Sequence, residues 1–127
     1  MSLATRFFNE VVRGQEVTDP ETRYKSIYSL KHWGIGYDTP LNVMGWTIKC
    51  EEKCSFVVEL QELVREAYNT GVNSIEDLFW LIHTADMLNV RFDIVKRHQE
   101  LANFFYRQFV KGNYQDIEEI IRTIRRI

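Results

Sequence analysis

Apolar residues recur along this chain at three- and four-residue steps, the spacing that lines one side of a helix. The first run, Phe7, Phe8, Val11 and Val12, predicts a helix from Leu3 to Arg13 that Gly14 can end. A second start is written in "TDPETRYKSIYSLKHW". Asp19 supplies the cap, Pro20 suits the first turn, and Tyr24, Ile27, Tyr28 and Lys31 fall near one side. Gly34 offers a left-handed stop.

The pattern then breaks in "KHWGIGYDTPLNVMGW", residues 31–46. Gly34 and Gly36 permit torsions awkward for other residues, and Pro40 opposes continuation of the upstream helix. Asp38, Thr39 and Asn42 can bond nearby backbone, and Thr39 or Asn42 can launch the next helix. A β-hairpin is the alternative, but its alternation is too brief to outweigh a turn between helices packed by Trp33 and Trp46.

From Trp46 to about Asn69 the apolar positions are Cys50, Cys54, Val57, Leu60, Val64 and Ala67, with Glu59, Glu62 and Glu66 on the remaining surface. Gly71 can stop this long helix, and Ser74 followed by Asp77 approximates a capping box. Leu78, Phe79, Leu81, Ile82, Ala85 and Leu88 then form a face broad enough for two neighbours. Another helix is predicted from near Asn89 to Gly112, either separate or continuing through a bend. Ile117, Ile120, Ile121, Ile124 and Ile127 mark the last, its end basic with Arg122, Arg125 and Arg126. The prediction is an all-α fold: a compact five- or six-helix bundle with short connectors, one domain over residues 1–127, without internal repeats.

Composition supports that picture, because 127 residues with 45% hydrophobic and 13% aromatic side chains can furnish a substantial core. A formal charge of −2 makes global attraction to nucleic acid or an acidic membrane weak. The charge is uneven, however. Residues 51–77 hold seven acids and two bases, whereas residues 91–111 hold five bases and two acids, a contrast that suits polar self-association. Cys50 and Cys54 lie one helical turn apart, poorly placed for a disulfide, and are expected as reduced, partly buried thiols. The first residues lack the apolar run of a signal peptide and no segment approaches a membrane span, so the cytoplasm is the expected compartment and no membrane insertion is expected.

Candidate chemistry is sparse. His83 and Asp86 are three residues apart and a helix can present both on one side, but no nucleophile or oxyanion donor accompanies them at recognisable spacing. His32, Trp33, Tyr37 and Trp46 could join them around a small ligand. The two cysteines lack a third and fourth soft ligand, and "GIG" lacks the rest of a dinucleotide fingerprint, so neither metal nor cofactor is expected. Arg91, Lys96, Arg97, Arg107 and Lys111 are the candidates for nucleic-acid binding, although they do not form one continuous stripe.

The expectation that needs the fewest missing groups is a helical interaction or regulatory protein rather than an enzyme. It would bind a protein partner or a second copy of itself, as a homodimer. Phe104, Tyr106 and Arg107 are its interface candidates, because aromatic and arginine side chains combine apolar area with directional charge.

Overall fold

The computed structural model describes residues 2–17, 19–34, 40–43, 45–91, 98–101, 103–104, 107, 119 and 122. Helix α1 runs over Leu3–Phe7 from a Ser2 cap, whose Oγ accepts from the Thr5 N–H at 3.2 Å. It passes without a break into a π-helical turn, Phe8–Val12, marked by the Arg13 N–H donating to the Phe8 carbonyl at 2.8 Å. The predicted helix is therefore present, but wider at its end. Ala4, Phe7, Phe8, Val11 and Val12 all face the core. Gly14, at φ +70°, ends it.

Helix α2, Pro20–Tyr28, starts as expected: the Asp19 carboxylate accepts from the Thr22 N–H at 3.1 Å and Pro20 opens the first turn. The helix tightens into a 3-10 turn over Ser29–Gly34. That change of pitch shifts the phase, so Leu30 is buried and Lys31, expected on the inner side, is exposed.

The largest departure from expectation follows. Leu41–Val43 (β1) and Trp46–Ile48 (β2) form an antiparallel hairpin, pairing Leu41 with Ile48, Asn42 with Thr47 and Val43 with Trp46. Gly45, at φ +79°, supplies the positive torsion of its two-residue loop. Thr47 Oγ1 donates to Asn42 Oδ1 across the strands at 2.9 Å. The helix predicted from Trp46 instead begins after a 3-10 turn, Cys50–Glu52, as α3, Lys53–Thr70.

This later start resets the inner face. At about 100° per residue, Lys53, Phe56, Val64 and Ala67 fall within about 40° of Leu60. All five are buried. Cys54 lies about 120° from Leu60 on the same wheel and is exposed, not partly buried as expected. Gly71, at φ +115°, ends the helix.

Helix α4, Ile75–Met87, is capped by Ser74 Oγ accepting from the Asp77 N–H at 3.1 Å. Every residue from Leu78 to Ala85 is buried, which makes α4 the central helix. It packs against α2, α3 and the π-helical turn, while α1 lies on α3. Asn89, at φ 55°, closes α4, and Gln61 Nε2 donates to the Leu88 carbonyl at 2.9 Å from α3. Residues 98–101, 103–104 and 107 are again helical (α5), with Leu101 in the core. The described residues thus make an all-α five-helix bundle with short connectors, one of which is the hairpin. Among them no helix is long and apolar enough to cross a membrane.

Candidate functional site

The residue pair that spacing singled out on α4 divides between core and surface. His83 is 3% exposed and Asp86 is exposed. The His83 ring stacks on Tyr24 at 4.9 Å and 6°. Tyr24 stacks on Tyr28 at 5.6 Å, and Tyr28 meets the edge of His32 at 5.1 Å. Four rings therefore run from the central helix along α2 to the exposed His32. Lys31 Nζ covers the Tyr28 ring at 5.6 Å from its centroid.

Burial pushes the His83 imidazole down to about 3, against a main-chain hydrogen bond at Tyr24 that raises it. The ring is therefore neutral throughout the range where histidine acid–base chemistry operates. Desolvation raises the Asp86 carboxyl although the residue as a whole is exposed, and Lys31 opposes that shift. Of the other ligand candidates, Trp46 goes elsewhere: it is half-buried against the edge of Phe7 at 6.0 Å and lies under Arg6 at 5.0 Å. Tyr37 and the Trp33 side chain fall outside the described residues.

A residue that the spacing argument passed over holds the neighbouring corner together. Arg23 is 6% exposed. Its Nε donates to the Val11 carbonyl at 3.0 Å and an Nη donates to the Val12 carbonyl at 2.6 Å. These are carbonyls at the end of the first helix, where the helix itself provides no further donors. The guanidinium also lies 4.2 Å from the Trp80 ring centroid. Desolvation lowers it to about 10, with Glu76 and Asp77 opposing, so it stays cationic at neutral pH. A Cβ at Gly14 would come within 2.8 Å of the guanidinium carbon. Arg23 does carry a signal in the sequence, since it shares the stripe of Ile27 and Leu30.

Three of the C-terminal candidates lie among the described residues. Phe104 is half-buried and packs against the core cluster, Arg91 and Arg107 are exposed, and Lys96, Arg97, Tyr106 and Lys111 lie outside the described residues. His98 and Tyr68 share a hydrogen bond of 2.8 Å that ties α5 to α3.

The outer side of α3 is different in kind. Cys54, Ser55, Val58, Glu62 and Arg65 recur at helical spacing along it and are all exposed, as is Glu51 in the 3-10 turn that precedes it. Val58 is 53% exposed. Among the described residues, Glu51, Glu62 and Arg65 take part in no ion pair or side-chain hydrogen bond, in contrast to Arg13 with Asp77 and Ser2 with Glu59. Also among the described residues, no group of three histidine, cysteine or carboxylate side chains is arranged to hold a metal ion. No family model matches this chain, and neither a curated protein nor a solved structure matches it.

Proposed function

We propose that this is a small helical interaction protein that works by presenting a helix surface, and that it self-associates as a homodimer. The observation that supports this reading is the outer face of α3. It combines an exposed valine with charges of both signs that, among the described residues, make no ion pair. An apolar centre with flanking charge gives a contact both area and register. Of the interface candidates Phe104, Tyr106 and Arg107, Arg107 is exposed and Phe104 is half-buried against the core cluster. Turnover is not part of this reading, because His83 is neutral and enclosed by Tyr24, Phe79 and Trp80.

Sedimentation at several protein concentrations tests the proposal. The expected result is a mass that rises from 15.2 kDa toward twice that value as concentration increases. A constant 15.2 kDa up to millimolar protein overturns the homodimer. Nucleic-acid binding from Arg91 and Arg107 is the competing use of the surface. It would show as salt-sensitive binding of a mixed oligonucleotide pool, lost on neutralising both arginines.

A further inference from the structure

We draw no further inference here: the strongest candidate, the exposed outer face of α3 around Val58, carries nothing because nothing among the described residues shows what covers it.

Discussion

At the scale of single residues, Arg23 is a buried cation that the fold uses twice. It supplies donors to two carbonyls that end the first helix and covers the face of Trp80. Replacing it with Met keeps the apolar stem and leaves both carbonyls without that donor. The expected loss is about 3 kcal/mol, since hydrogen bonds from a charged group contribute about 1.5–3 kcal/mol each and an abandoned buried acceptor adds a cost. Lys is expected to recover little, because one ammonium cannot reproduce a planar fork that bonds two carbonyls and stacks on an indole. Urea denaturation of the two variants checks both statements.

His83 makes the second residue-scale prediction, and its direction follows from proton counting. Its folded-state value near 3 lies below the ordinary 6.5, so between those limits the unfolded chain binds the proton and the folded chain does not. Stability therefore falls as pH drops through 6.5 toward 3, with a contribution of at most about 1.4 kcal/mol per pH unit from this group. Asp86 acts in the opposite sense: its raised carboxyl gives stability at low pH that is lost as pH rises through its folded value. His83→Phe should remove the acid-side slope that begins below pH 6.5, read from urea midpoints at pH 7, 6, 5 and 4. An unchanged slope would mean that another group carries it. Arg23 shares the stripe of Ile27 and Leu30, but spacing alone did not show that it or His83 is enclosed. Only the neighbouring helix decides whether a polar member of a stripe is buried.

At the scale of elements, capping chemistry was the most legible signal. Asp19 with Pro20, Ser74 with Asp77, and the stops at Gly14 and Gly71 all fall where local hydrogen bonding predicted them. The hairpin was not legible for a physical reason. Its strands have three residues each, too few for alternation to outweigh the helical run that follows. The alternation was nevertheless present, with Trp46 half-buried, Thr47 exposed and Ile48 buried. Missing it also misplaced the start of α3, and with it the inner side of that helix. Cys54 was read as core for this reason, and Phe56, which does face the core, was left out.

Gly45 tests the hairpin. A Cβ there meets nothing within 4 Å, so substitution acts through the backbone torsion alone. Gly45→Val should cost about 1–2 kcal/mol, whereas Gly45→Asn should cost much less, because Asn tolerates a left-handed torsion. Equal costs in thermal or urea unfolding would argue against the positive torsion at this turn.

At the scale of the whole molecule, the fold class was the firmest reading, since several amphipathic stripes in one short chain have few ways to be buried except against each other. The core cluster joins residues from Ala4 to Leu101, and α4 reaches α2, α3 and the π-helical turn at once. That shared core predicts a single transition of the helices it joins, in which tryptophan fluorescence and far-ultraviolet circular dichroism coincide. Among the described residues, α5 is attached where Leu101 and Phe104 pack on the core and the Tyr68–His98 hydrogen bond ties it to α3. Tyr68→Phe removes the hydroxyl while keeping the ring. Losing one such bond costs about 1 kcal/mol, small against the global stability of a domain but comparable with a local opening. Amide exchange in residues 98–107 should accelerate about fivefold in this variant while α4 amides change little. If α4 exchanged faster by the same factor, α5 would open only with the whole molecule, and the five helices would form one indivisible unit.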